Sequence, residues 1–173
     1  MKIFLTAIMF FGLMFSAYGK ILIGQVNVQT VLVTIKDGQA VKSKLSKVYE
    51  EKKKVLKDSE DKIRKAQQSY EKQQLVLSEK AKGKKELELR GMLEELQKKT
   101  MEYQKDMQDM ENKLKKPILD KIKIVIDEIS EKNQVDVTFE ASQAPLVYAK
   151  DLKDLTDDVI AAYDVKYSEK AKK

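Results

Sequence analysis

The chain has 173 residues, a net charge of +6, and no cysteine, histidine or tryptophan. That composition excludes a disulfide framework, thiol or imidazole catalysis, and a zinc site built on Cys or His. With 36% charged residues, it has the make-up of long solvated helices around a small core.

Met1–Gly19 reads as a separate object. It has one positive charge (Lys2), an apolar run from Ile3 to Phe15, and small residues at Ala17 and Gly19 around Tyr18. This is the pattern of a secretory signal peptide with an A-x-G cleavage site. The run is too short to span a bilayer comfortably, which argues against a membrane anchor. The mature chain would be exported.

Ile21 to Val28 is apolar and β-branched and predicts a strand. Gln29 to Ile35 is ambiguous but fits one helical turn, and Lys36-Asp37-Gly38 has turn chemistry. From there to Lys132 the pattern is helical. In its second half Leu89, Leu93, Leu96, Thr100, Tyr103, Met107, Met110 and Leu114 fall at alternating gaps of four and three, the beat of a coiled-coil seam. The first half keeps the beat more loosely through Val41, Leu45, Val48, Lys52, then Val55 and Leu56, and again from Ile63 through Ala66, Tyr70 and Leu77. A register break is expected near Ser59. The beat stops over Ser78–Lys85, and Gly83 is the expected point of reversal. Two antiparallel helices follow, the first (Gln39–Lys80) roughly 60 Å long at ~1.5 Å per residue. One continuous helix is the competing reading; the lost beat and Gly83 and Gly91 favour the hairpin.

Pro117 interrupts an apolar face that Ile118, Ile122, Val125 and Ile129 continue, so a kink or a new helix start is expected there, and Pro117 is a candidate hinge. Asn133 is placed to cap the helix end. Val135–Phe139 alternates as a half-buried strand, and Pro145–Ala149 reads as a third strand after a turn. Thr156 is the expected N-cap of a last helix, with Asp157 and Asp158 in its first turn. The fold class is α+β: residues 20–38 and 117–173 make a small body, split by a hairpin over 39–116. A body with three short strands has open edges and a thin core, so self-association is expected. The body residues at stake are Ile21, Ile23, Val26, Val28, Val135, Val137 and Phe139.

Val147-Tyr-Ala-Lys-Asp-Leu-Lys-Asp-Leu-Thr-Asp-Asp-Val-Ile160 resembles the C-terminal signature of the Skp (OmpH-like) periplasmic chaperones. Ile118-Leu-Asp-Lys-Ile122 is similar to the start of that family's return helix, and Ile21–Val28 sits where its first strand sits, after a signal peptide. The resemblance covers essentially the whole mature chain. Two departures are a short, lysine-rich turn region and an extension from Asp164 to Lys173. The resemblance implies a homotrimer in the periplasm, with a shared β-body and three helical tentacles around a cavity. That cavity would hold unfolded outer-membrane β-barrel proteins without nucleotide or other cofactor.

Several side chains exceed what one seam uses: Leu75, Val76, Leu87, Met92 and Met101 are candidate contacts to an unfolded partner, and methionine suits variable surfaces. Met107 and Met110 fall on the seam and read as packing. Residues 39–116 carry 22 Lys/Arg against 15 Asp/Glu, and Lys80, Lys82, Lys84 and Lys85 cluster at the expected tip. Such a cluster suits anionic lipid or lipopolysaccharide, although a solvated turn is the simpler explanation. No glycine-rich phosphate loop is present, and the carboxylate pairs Glu94/Glu95 and Asp157/Asp158 lie on helix exteriors. Asp151, Asp154, Asp157 and Asp158 do not have the spacing of a calcium loop. No catalytic residue, cofactor or metal is expected. Three functions compete: a chaperone that holds unfolded proteins, a structural coiled-coil spacer, and a basic nucleic-acid binder that the export signal argues against.

Overall fold

The computed structural model describes residues 21–143 and 146–168; the expected signal peptide lies outside them. In chain order the elements are β1 (Ile23–Val26), α1 (Val28–Thr34), α2 (Lys36–Gln73), α3 (Glu79–Lys132), β2 (Val137–Glu140), β3 (Leu152–Asp154) and α4 (Thr156–Tyr163), followed by a π-helical turn at Asp164–Ser168. Both chain ends build one small body, and α2 and α3 leave it as a long antiparallel hairpin.

The sheet runs β2-β1-β3, with both outer strands parallel to β1. The first strand is shorter than its apolar run. Asn27 stops it: its side-chain oxygen accepts the Thr30 N–H at 2.8 Å, so Val28 opens a helix and does not extend β1. The stretch that fitted one helical turn is therefore a helix of its own, Val28–Thr34. The Glu140 carboxylate at the end of β2 accepts the Val28 N–H at 3.1 Å, fastening the start of α1 to the sheet. Thr156 does not cap its own helix. Its hydroxyl accepts the Asn27 N–H at 3.0 Å, and Asp154 Oδ1 accepts the Thr156 N–H at 2.9 Å instead. The Asn133 side chain does close α3, donating to the Ile129 carbonyl at 2.8 Å.

The expected third strand is displaced. Of the expected Pro145–Ala149, Pro145 lies outside the described residues, Leu146–Ala149 lies in no strand, and Leu146, Val147 and Tyr148 are exposed. The short, charged Leu152-Lys-Asp154 pairs with β1 in its place, with Leu152 opposite Ile23. Register against β1 selects this strand, and hydrophobicity does not: Lys153 sits in its middle and reaches Asn133 Oδ1 at 2.6 Å.

The hairpin reverses at Gln74–Ser78, before the lysine-rich stretch and before Gly83. Ser78 caps α3, its hydroxyl facing the Ala81 N–H at 3.4 Å. Gly83 and Gly91 sit inside α3, and no glycine in the described residues has a positive φ. Along the seam, Leu93 points outward and Met92 takes its place. The register break on α2 falls one turn early: Val48, Lys52 and Leu56 are half-buried at successive steps of four, and Val55 turns out to solvent. Two paired helices bury only a stripe, and between Gln39 and Pro117 only Ile63 is fully buried. Polar contacts supplement the seam. Lys52 bridges to Asp106 at 2.9 Å and lies 3.9 Å from the Tyr103 ring centre, and the Tyr70 hydroxyl meets Glu86 nearer the tip.

The core lies in the body. Val26, Val31, Leu32, Ile35, Ile118, Ile122, Val125, Ile129, Leu155, Val159 and Tyr163 form one buried cluster. On α3 the buried stripe starts at Ile118, one residue after Pro117, and the helix passes through that proline without a new start. The α1–α2 elbow depends on a glycine. A Cβ at Gly38 would lie 1.7 Å from the Leu32 carbonyl oxygen, so α1 folds back onto α2 only over a bare Cα. Just before it, Asp37 binds the hairpin to the body. Its Oδ2 accepts the Tyr163 hydroxyl at 2.9 Å and pairs with Lys121 at 3.4 Å.

Gly38→Ala should therefore lower stability by about 1–3 kcal/mol, the range for forcing extra volume into a packed site. Gly83→Ala and Gly91→Ala meet nothing within 4 Å and should each raise it by about 0.8–1 kcal/mol through helix propensity. Urea denaturation of the three variants checks both signs. Burial first, and then the hydrogen bond to Asp37, pushes the Tyr163 phenol well above its ordinary value. The folded state thus favours the protonated phenol, and its contribution is complete below about pH 10, the unfolded value. Tyr163→Phe should cost about 1–2 kcal/mol near neutral pH. The gap to the parent chain should narrow as the pH rises beyond 10, where the unfolded phenol ionises first; denaturation across pH 7–11 measures it.

Candidate functional site

Among the described residues there is no cluster of acidic side chains able to hold a metal ion, and no helix is long and apolar enough to cross a membrane. The functional candidates are surfaces: one face of the sheet, and the hairpin.

The sheet has an inner and an outer face, set by the two-residue repeat of its strands. The inner face lies against α3. Gly24 is buried there, with Val135, Thr138 and Leu155 within about 3 Å of where a Cβ would stand, and the Thr138 hydroxyl meets Ser130 of α3 at 2.7 Å. The outer face carries Val137, Ile23 and Leu152 in one row across β2, β1 and β3, and Phe139, Gln25 and Asp154 in the next. Gln25 Nε2 donates to Asp154 Oδ2 at 2.9 Å within that second row. Among the described residues nothing covers this face, and Ile21, Val137 and Leu152 are exposed. The candidate body residues therefore divide. Val26 belongs to the chain's own core, and Val28 and Val135 pack against it; Ile21, Ile23, Val137 and Phe139 have the parity of the open face.

Two carboxylates at the ends of the outer strands are held below their ordinary range. Burial pushes Glu140 up, but hydrogen bonds from Ser142, Val28 and Gln143 outweigh it. For Asp154 the Thr156 side chain leads, and the Thr156 N–H and Gln25 add to it. Both therefore remain charged and fix the strand ends to α1 and α4.

The hairpin candidates are scattered. Leu75 and Val76 form the apex of the turn, 92% and 85% exposed, and Leu87 lies two turns into α3, also exposed. Met101 is exposed midway along α3. Met92 is separate from these. It is half-buried on the seam and shares a cleft with Ser59, Ile63 and Leu96. The four lysines lie in the first two turns of α3 and not in the loop. Lys82 pairs with Glu79 at 2.8 Å and Lys85 with Glu88 at 3.6 Å, while Lys80 and Lys84 make no ion pair. The reversal at Gln74–Ser78 had a sequence signal in Ser78-Glu79, a capping residue followed by an acidic first-turn residue.

The sequence model for the family "Outer membrane protein (OmpH-like)" matches residues 22–163. No curated protein sequence matches the chain significantly. Among solved structures, the chain is similar to the crystal structure of an OmpH-like protein from Caulobacter crescentus CB15, proposed as an outer membrane chaperone. The TM-score is 0.69 over 84% of each chain, at 16% identity, so the likeness is one of fold. The family match begins just before β1 and ends with α4, taking in body and hairpin together; the chain belongs to the OmpH-like outer membrane protein family.

Proposed function

We propose that this protein is an ATP-independent holding chaperone of the periplasm. Several copies, three by family resemblance, join through the open faces of their sheets, and the hairpins enclose unfolded outer-membrane proteins between them. The observation that carries this reading is the uncovered sheet. Purely parallel sheets are almost always covered on both faces, yet here one face bears Ile23, Val137 and Leu152 with none of the described residues over it. Covering it with copies of itself gathers several hairpins around one axis. The hairpin supports the rest of the reading. It spends little of its apolar surface internally, and Leu75, Val76, Leu87 and Met101 remain exposed for weak, non-directional contacts that need no fuel to release. A spacer would need the rods but not the exposed apolar side chains.

Contact with anionic lipid or lipopolysaccharide through Lys80, Lys82, Lys84 and Lys85 has less support. Two of the four are paired to glutamates, and all four stand at a helix N-terminus, where the backbone dipole disfavours cations.

A urea-unfolded β-barrel protein diluted into buffer should scatter light strongly alone and weakly with a near-stoichiometric amount of this chain. No suppression at that ratio would leave the spacer reading standing. Leu75→Ser combined with Val76→Ser and Leu87→Ser replaces exposed side chains only. It should leave the melting temperature unchanged and raise severalfold the amount needed for suppression. Val137→Glu puts a charge in the proposed interface, where an unpaired buried carboxylate costs several kcal/mol. Multi-angle light scattering should report a trimer for the parent chain and a monomer for the variant.

A further inference from the structure

A groove runs along one side of the hairpin near its root. It opens at the α1–α2 elbow, where Leu32, Val33, Val41 and Leu45 meet Met107 around a cavity of about 400 Å³. Tyr49, Met107 and Glu111 line this cavity and also the next one, of about 370 Å³, whose floor is Leu56, Thr100 and Tyr103. The two are one continuous trough. Its floor is apolar and half-buried, while Val33 and Tyr49 stand about half exposed at its edge. Lys42 lines the first cavity and Lys53 the second, and neither makes an ion pair. Lys52, by contrast, is already held by Asp106 and the Tyr103 ring.

We infer that this groove binds one extended segment of an unfolded client whose apolar or aromatic side chains alternate with polar or acidic ones. The inference rests on the holding-chaperone reading and gives it a defined subsite. Three features select this occupant. The first is length. From Gly38 to Leu56 the trough follows α2 for about 27 Å at ~1.5 Å per residue. An extended chain covers that span in about eight residues at ~3.3 Å each, close to the 9–11 of a membrane-spanning β-strand. The second is sidedness. The floor is apolar and the top is open to water, so a segment that alternates can turn every second side chain down and leave the rest solvated. A segment with its apolar residues in one block cannot do this. Strands of membrane barrels also carry aromatic side chains near their ends, and the trough offers Tyr49 and Tyr103 as ring partners. The third is charge. Glu111, which lines both cavities, is already paired with Lys115, so Lys42 and Lys53 at the rim favour carboxylates on the upward-facing positions and disfavour lysines there.

The test uses the full mature chain and a fluorescein-labelled ten-residue peptide in which Tyr, Val and Leu alternate with Glu and Ser. A second peptide has the same composition with its apolar residues in one block. Fluorescence anisotropy should show the alternating peptide binding at least tenfold more tightly than the blocked one, and more weakly as salt rises. Val33→Glu with Tyr49→Glu alters only half-exposed positions and should weaken the alternating peptide at least tenfold without changing the circular dichroism melt. If that variant unfolds, Lys42→Glu with Lys53→Glu changes exposed positions alone. It should reverse the preference, so that a peptide with Lys in place of Glu binds better. Equal binding of the two peptides, or unchanged binding by a folded variant, overturns the groove. Light scattering with a whole unfolded barrel protein separates the two levels. A parent chain that suppresses aggregation while its groove ignores the peptide sinks this inference only; one that suppresses nothing sinks the chaperone reading itself.

Discussion

The structure depends on β1 being the central strand. It comes from the start of the described residues and is hydrogen-bonded on both sides to strands that follow the hairpin, with Ile23 opposite Val137 on one side and Leu152 on the other. More than a hundred residues lie between β1 and β2. Bringing such distant ends together costs conformational entropy, but the cost grows only with the logarithm of loop length, and the hairpin is itself an ordered rod. The polar ties around β1 do the joining. Asp136 accepts the Leu22 N–H at 2.7 Å, Glu140 accepts the Val28 N–H at 3.1 Å, and Thr156 accepts the Asn27 N–H at 3.0 Å. Each links the first segment to the last. Remove β1 and neither outer strand has a partner, the core loses Val26 with α1 behind it, and the hairpin's two feet are no longer held side by side.

Holding both feet sets how the hairpin is attached. α2 enters over Gly38, whose missing side chain lets the Leu32 carbonyl close on it, and Asp37 ties the same turn to α3 through Lys121 and to α4 through Tyr163. α3 enters with its buried stripe of Ile118, Ile122, Val125 and Ile129. The attachment is therefore packed and hydrogen-bonded on three helices, and the rods inherit their alignment from the body. Their own seam is too narrow to supply it, with Ile63 the one fully buried side chain between Gln39 and Pro117.

The periodicity of the sequence was enough to show the hairpin, the buried face after Pro117 and the split body, because each is a repeat of apolar residues summed over many positions. Features fixed by a single contact were not visible. Gly83 looked like a turn because glycine permits a positive φ, but permission is not requirement, and Ser78 with Glu79 set the reversal. Gly38 looked like turn chemistry; its role is a close backbone approach that exists only once α1 has folded back. The third strand was the plainest case. An apolar run at Leu146–Tyr148 stays in solvent, and a strand with lysine at its centre takes the place, because Lys153 finds Asn133 and the chain's register finds β1. Among the surface residues, Leu75 and Val76 were legible from composition and proved the most exposed large apolar side chains of the hairpin, whereas Met92 and Leu93 exchanged places by one residue. A one-residue change on a helix is a rotation of about 100°, within what a loose seam allows.

Stability is distributed unevenly as a result. The buried cluster, the sheet and most long-range hydrogen bonds lie in the body, while the distal hairpin has half-buried contacts and exposed ion pairs such as Lys82–Glu79 and Lys99–Glu95, which contribute little in water. Gly83 and Gly91 lower the helix propensity of the same distal stretch, and nothing nearby requires either to lack a side chain. The rod is therefore weakest where it is farthest from the body, and local opening should cost least at the apex. On the holding-chaperone reading proposed above, a wall that accepts many different chains would gain from such a gradient. The body fixes where the rod begins, and the softness beyond it would let exposed apolar side chains adjust to a bound chain. A hairpin as well packed at its tip as at its root would hold one shape and fit few partners.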